Sequence, residues 1–424
     1  MISKLINILN RIKIFPYYII TPIVYAVGTA SEEILVGAKK ARSLNKKILI
    51  IFPTLAQNYL NYNICNEFLS THLILNNFKQ SNIKSLKKII QFFVNIEMII
   101  MRIIILVFKN ILSNQTKEKL KFPRIGINFS YSNDNINHNN LRNKSFDDIS
   151  PLNISNEKID LIHDENYLSK LNTHIKFDFN DPYVCLQVRD SAFYNDSNRK
   201  NYRNSNIENY YELINFLVSK NYKVIRMGSK VHNPIKIKNK NIIDYPYSEF
   251  YNKYLDLLFM KNCNFYIGTS SGLIDVAWLF NRPVLLTNMI NIFSGLPRNK
   301  CDRGIFKKIF NKNGRMLTLK EYMRLPFSFH NLDKNINDLS FEENSSEELY
   351  LAVSDFVDIL DKENFSLNQK QKIFNSQVNK NLNKLFADRN DIDCLVNYHA
   401  CLNMLRITKS CKGSLSSFYL DKYL

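Results

Sequence analysis

Residues 265–286 read FYIGTSSGLIDVAWLFNRPVLL. An apolar run of strand length meets Gly268, three small hydroxylic residues follow, and Gly272 opens an apolar pattern at helical spacing. Asn281-Arg282-Pro283 breaks that pattern before a second apolar run. Strand, tight turn, helix, turn, strand is the repeating unit of a parallel α/β sheet. In an open sheet of this kind the strand-to-helix turn lies at the carboxyl edge, where helix starts present unsatisfied N–H groups. The turn Gly268, Thr269, Ser270, Ser271 and Gly272 therefore suits an anion: the glycines admit close backbone approach, the hydroxyls donate, and a helix start favours negative charge. It is neither a Walker A loop, which needs G-K-[ST], nor a dinucleotide fingerprint. The alternative at this point is that the hydroxyls only cap a structural helix.

The same rhythm surrounds the turn. Residues 183–189, 222–227, 241–244, 265–268 and 283–287 read as strands, and 207–220, 251–260 and 271–280 as helices. Nearer the N-terminus, 23–27 and 48–53 read as strands flanking a helix. Ser31 is its expected N-cap, with Glu32 and Glu33 in the first turn, where acids complement the helix dipole. The polar, Asn-rich segment 131–158 separates the two halves. The expectation is an α/β protein of two Rossmann-like domains with parallel sheets, residues 1–175 and 176–345, followed by a helical extension over 346–424.

A chain of 424 residues suits two domains, and its 45% hydrophobic content excludes wholesale disorder. The formal net charge is +19. Such a charge favours phosphorylated substrates, anionic lipid headgroups or nucleic acid. No nucleic-acid-binding motif and no concentrated basic block is present, so nucleic acid is not an expected partner. Seven widely spaced cysteines without a C-x-x-C pair fit a reduced, cytoplasmic protein rather than a disulfide framework.

Two segments resemble targeting or spanning elements. Residues 12–28 have the charge and apolarity of a signal peptide, but Pro16 and Pro22 break any helix there. Residues 87–112 form an apolar helix of spanning length, interrupted by Glu97 and Arg102. Gln91, Asn95, Arg102 and Lys109 share one stripe, and most of the remaining circumference is apolar. An interfacial helix, a core helix and a true span all remain open.

Chemistry concentrates at the strand ends. Arg189 closes a buried strand, where a guanidinium needs a carboxylate or a phosphate as partner, and its planar fork matches a diphosphate. Arg226 ends the next strand, so a second guanidinium is expected on the same edge. Tyr202, Arg203, Gly228, Asp244 and Asp275 are further candidates for nucleotide or substrate contacts. Asp190, Glu32 and Glu33 are the candidate general bases. The one D-x-D, Asp391-Ile392-Asp393, reads as a surface turn, and no metal site is expected.

The series YVCLQVRDSAFY, YRNSNIENY, NYKVIRMGSKV and FYIGTSSGLIDVAWLFNRPVLLTN resembles the C-terminal half of an uncharacterised bacterial glycosyltransferase family met in surface-polysaccharide gene clusters. The match covers residues 180–330 well and the N-terminal half loosely. Gln187-Val188-Arg189 is similar to the H-x-R motif of fucosyltransferase-like GT-B enzymes, with Gln187 in the histidine's place. The turn at 268–272 is similar to the D-S-G helix start of heptosyltransferase-like proteins, with Ser270 in the aspartate's place. The resemblance implies a GT-B transferase whose donor diphosphate is held by Arg189, Arg226 and the GTSSG turn. The nucleotide sugar would be a substrate, without further cofactor. A glycan or lipid-linked acceptor and a peripheral place on the cytoplasmic face of a membrane complete the expectation. The alternatives are a sugar-nucleotide epimerase or hydrolase, and a non-catalytic membrane-surface polyanion-binding protein.

Overall fold

A computed structural model describes residues 2–55, 64–112, 125–126, 151, 157–192, 202–290, 296–322, 325, 338–386 and 406–423, without the side chains of 319 and 381–386. Asp391 and Asp393 and most of the segment 131–158 lie outside the described residues.

The chain opens with helix α1 (Ile2–Arg11). Pro16 and Pro22 then bracket the first strand, β1 (Tyr17–Ile20), because a proline cannot donate to a ladder. The expected strand at 23–27 is thus displaced upstream. β1 pairs in parallel with β2 (Lys47–Ile50), and Tyr17 faces Lys47. Helix α2 (Val27–Ser43) joins the two strands as a β–α–β unit. Ala26 is the N-cap of α2. Ser31 therefore lies inside the helix, fully buried, and does not cap it; Glu32 and Glu33 stand in the second turn.

This half is not purely parallel. Strand β3 (Leu73–Leu75) pairs antiparallel with β4 (Phe78–Lys79) on one side and β5 (Ile159–Leu161) on the other. The long apolar segment forms helix α3 (Lys84–Val107), starting and ending a few residues before its expected bounds.

The second half is one seven-stranded parallel sheet. It contains β6 (Tyr183–Gln187), β7 (Lys223–Arg226), β8 (Ile242–Asp244), β9 (Phe265–Gly268), β10 (Val284–Met289) and β11 (Arg303–Phe306). An antiparallel ribbon of β12 (Lys308–Asn311) and β13 (Leu339–Glu342) follows. Strand β14 (Ser414–Leu415) adds the last edge by pairing with β11. Across the sheet the order is β14-β11-β10-β9-β6-β7-β8. The chain winds outward from β6 to β8, then returns to β9 on the other side of β6 and winds the opposite way. The joint between β6 and β9 is therefore the switch point of a doubly wound sheet, where such folds bind ligands. Gln187 and Gly268 sit opposite each other at its carboxyl end.

Helix α4 (Leu273–Leu279) leaves β9 through the GTSSG turn. Helix α5 (Ser346–Asp361) is opened by a Ser345–Glu348 capping box. Its Phe356 meets Phe265 of the sheet edge-on. The residues after 345 thus build onto the sheet, through α5 and β14.

The two halves share one core that includes Ile34 of α2 and Ile274 of α4. They meet most closely at two glycines. A Cβ on Gly28 would lie 2.6 Å from the Gly272 Cα, and one on Gly272 would lie 2.9 Å from the Gly28 nitrogen. The first turn of α2 therefore rests directly on the residue that starts α4. Gly28→Ala is expected to destabilise the protein by roughly 1–3 kcal/mol through overpacking at this contact, read from the denaturant midpoint at unchanged slope.

Candidate functional site

The site is built on the ends of β6 and β9. The Gln187 side chain is the hub: its amide oxygen accepts from the hydroxyls of Ser271 at 2.9 Å, Thr269 at 3.2 Å and Tyr266 at 3.5 Å. The Thr269 hydroxyl oxygen also accepts from the Arg189 backbone N–H at 3.1 Å. Gly268 is required here because a Cβ would fall 2.4 Å from the Tyr266 hydroxyl. The hydroxyl protons of Thr269 and Ser271 are thus committed to the protein. The expectation that these hydroxyls cap the helix is corrected: Gly272 is the N-cap, without a side-chain cap. What the turn offers an anion is backbone and the surrounding cations.

Those cations come from three places. The Arg189 guanidinium donates to the Asn204 side-chain oxygen. Arg203 donates to the Ser270 carbonyl at 2.9 Å. Lys307, immediately after β11, donates to the Asn204 carbonyl at 2.5 Å. The loop 202–205 is drawn over the sheet's carboxyl edge by these bonds and by Ser205 N–H donating to the Arg189 carbonyl at 2.8 Å. Lys307 is only 2% exposed. Burial pushes its ammonium down to about 8, Glu343 opposes that shift, and Arg189 adds to it. Sequence reading missed Lys307; its signal was a lysine directly after the apolar Gly304–Phe306 run.

Other expected residues have structural roles. Arg226 is 1% exposed. It donates to the Asn233 carbonyl at 2.5 Å and pairs with Asp244 at 3.4 Å, on the β7–β8 side of the sheet. The expectation of a second strand-end guanidinium at the anion site is thereby corrected, and Asp244 is its partner rather than a substrate contact. Asp244 also accepts from Ile235 N–H at 2.7 Å. Gly228 takes φ +136°, a backbone state that favours glycine, at the start of the same loop. Tyr202 is buried, stacked on Phe341 at 5.2 Å. Asp190 staples two loops, accepting from Ala192 N–H at 3.0 Å and His232 N–H at 2.8 Å.

A second cluster lies beside the Gly28–Gly272 contact. Arg298 pairs with Asp275 of α4 at 2.9 Å and stands 4.0 Å from Glu32 of α2. Its guanidinium carbon lies 3.8 Å from the Trp278 ring centroid, a cation–π geometry. Asp302 fixes this loop by accepting from Arg298 N–H, Asn299 N–H, Val284 N–H and the Trp278 indole. Burial pushes the Glu32 carboxyl up to about 7 against the pull of Arg298, and Asp275 and Glu33 reinforce the rise. Asp275 is likewise raised by burial to about 6. Glu33 points the other way and holds Ile23 N–H at 2.7 Å, so of the expected pair only Glu32 joins the cluster. Among the described residues, no three His, Cys, Asp or Glu side chains group as a metal site.

No protein-family model and no curated protein matches the chain. Among solved structures, the iron-containing dodecameric glycosyltransferase TibC of enterotoxigenic E. coli is similar at 23% identity over 25% of this chain and 27% of that one, with TM-score 0.18. The TibC heptosyltransferase in complex with ADP-D-beta-D-heptose is similar at 15% identity over 44% and 49%, with TM-score 0.25. The E. coli ADP-heptose LPS heptosyltransferase II is similar at 11% identity over 64% and 83%, with TM-score 0.33. The chain spans about a quarter and about half of the two TibC chains. At scores this low the likenesses carry no argument about activity.

An acid held above its unfolded pKa contributes stability at low pH and loses it as pH rises through its folded value. Stability is therefore expected to fall from about pH 4.5 to about 7 as Glu32 ionises. Glu32→Gln should flatten part of that fall, read by denaturant unfolding at several pH values across this window.

Proposed function

We propose that the chain is a glycosyltransferase of the GT-B type that moves a sugar from a nucleotide-sugar donor to a glycan acceptor. The observation that carries this reading is the gathering of Arg189, Arg203 and Lys307 around Asn204 and Ser270, above the β6/β9 switch point. Cations gathered around one loop favour a multiply charged anion, and an open α/β sheet binds its ligand at this place. A diphosphate suits them: Arg189 brings a planar fork and Lys307 a compact point charge.

In the transfer, the bond from the sugar's anomeric carbon to the diphosphate oxygen breaks, and the acceptor oxygen forms the new bond. Negative charge grows on the leaving diphosphate, where Arg189, Lys307 and the backbone of the Ser270–Gly272 turn stabilise it. Side chains rather than a metal supply that neutralisation. The proton lost by the acceptor hydroxyl goes to Glu32, whose pKa of about 7 suits a general base at neutral pH. Glu32 stands one turn along α2 from the Gly28–Gly272 contact, beside the Arg298–Asp275 pair at the start of α4. The resemblance to polysaccharide-cluster transferases supports a surface-glycan acceptor, lipid-linked, used at the cytoplasmic face.

Isothermal titration with ADP-, GDP-, UDP-, dTDP- and CMP-sugars tests the donor site. One nucleotide class is expected to bind. Arg189→Ala and Lys307→Met should each weaken it about tenfold to a hundredfold, the worth of a charge-assisted hydrogen bond. Arg226→Met should instead lower stability and leave the affinity of the folded protein unchanged. Equal affinity in the folded Lys307 variant, or no binding of any donor, would overturn the reading.

A further inference from the structure

Helix α3 is built inside out for a protein surrounded by water. Two of its uncharged polar side chains face the domain: Gln91 donates to the Phe52 carbonyl at 2.5 Å, and Asn95 donates to the Thr54 hydroxyl at 2.9 Å. Its one acid, Glu97, is buried and accepts from the backbone N–H and hydroxyl of Ser3, at 2.6 and 2.8 Å, which ties α1 alongside. The opposite face carries the large apolar residues. Phe92 is 61% exposed, Ile103 54% and Val107 68%, with Ile89, Phe93 and Ile100 also exposed. Helix α1 adds Leu5 and Ile8, with Ile12 just after its end, all exposed, while Ile6 packs inward against the cluster that holds Val94 of α3. An apolar face of this extent on a soluble surface marks an interaction site.

Charge identifies its occupant. Among the described residues, the exposed ionisable groups on α1, α3 and next to them include Lys4, Arg11, Lys13, Lys84, Lys88 and Lys109, all basic, and Glu97 is turned inward. A second copy of the same face would set these cations against their like. An anionic lipid surface attracts them and accepts the aromatic and aliphatic side chains between them.

We propose that α1 and α3 together form a docking face that lies in the plane of an anionic membrane, with the Phe92–Ile103 side in the lipid interface. Helix α3 has the length and apolarity to cross a bilayer. Its hydrogen bonds to Phe52, Thr54 and Ser3 hold it against the domain instead, so it lies flat. The face rests on these contacts alone. Joined to the transferase reading, it specifies that the acceptor is drawn from the same bilayer.

Flotation of the full chain with phosphatidylcholine vesicles, with and without phosphatidylglycerol, tests the face. Binding is expected to require phosphatidylglycerol and to fall with salt. A Phe92→Ser, Ile103→Ser double variant, whose changes sit on exposed positions, should lose at least about tenfold in binding while keeping the wild-type melting temperature. Separately, Lys84→Gln with Lys88→Gln should weaken binding to the anionic vesicles and reduce its dependence on salt. Unchanged flotation of the double variant would overturn the proposal. So would resistance of the bound protein to alkaline carbonate, which signals a span, or a stable dimer that the double variant dissociates. Nucleotide-sugar titration of the double variant separates the two readings: unaltered donor affinity with lost flotation supports the face alone. Flotation without any donor binding leaves the face standing and removes the transferase.

Discussion

The contact between Gly28 and Gly272 sets the geometry on which the rest of the molecule depends. Neither position has room for a side chain, because helix α2 of the first half meets the opening residue of α4 in the second half backbone to backbone. That approach brings Glu32, one turn further along α2, to the Arg298–Asp275 pair of the other half. It also places the β–α–β unit beside the carboxyl edge of the seven-stranded sheet. A ligand at the β6/β9 joint would therefore lie close to both halves.

Inside that frame, the GTSSG turn acts as a fixed joint between two strand ends. Gln187 collects three hydroxyls and so locks the end of β9 to the end of β6. The charge that an anion would meet is supplied around the turn, by Arg189, Arg203 and Lys307. Arg189 and Lys307 are held by oxygens of Asn204 in the loop above, and Arg203, from that loop, is held by the Ser270 carbonyl of the turn. Fixing cations in advance of the ligand is what lets them act on charge as it develops, without reorganisation during the reaction.

The second sheet was legible in the sequence because its strands are continuous apolar runs between turn residues, as parallel strands covered on both faces must be. Phe265–Gly268 needed no correction at either end. The first strand was misplaced by several residues because two apolar runs flank Pro22, and only the sheet partner distinguishes them. Arg303–Phe306 and Ser414–Leu415 were invisible as strands: they are too short to show a period, and their place depends on tertiary pairing. Arg226 and Arg189 look alike in sequence, both at strand ends. What separates them is an acid on the next strand, Asp244, which pairs with the former. Lys307 was lost against a background rich in lysine. The outward apolar face of α3 was half visible: its polar stripe could be read, but not that the stripe would turn inward to Phe52 and Thr54.

The central claim is that one doubly charged group is gripped at the β6/β9 joint. A crystal structure of the protein with a nucleoside diphosphate tests it most directly. The account predicts phosphate oxygens within hydrogen-bond distance of the Arg189 guanidinium, the Lys307 ammonium and the backbone N–H groups of the turn after Gly268. A diphosphate seated away from that joint, with Lys307 still closed on Asn204, would contradict it.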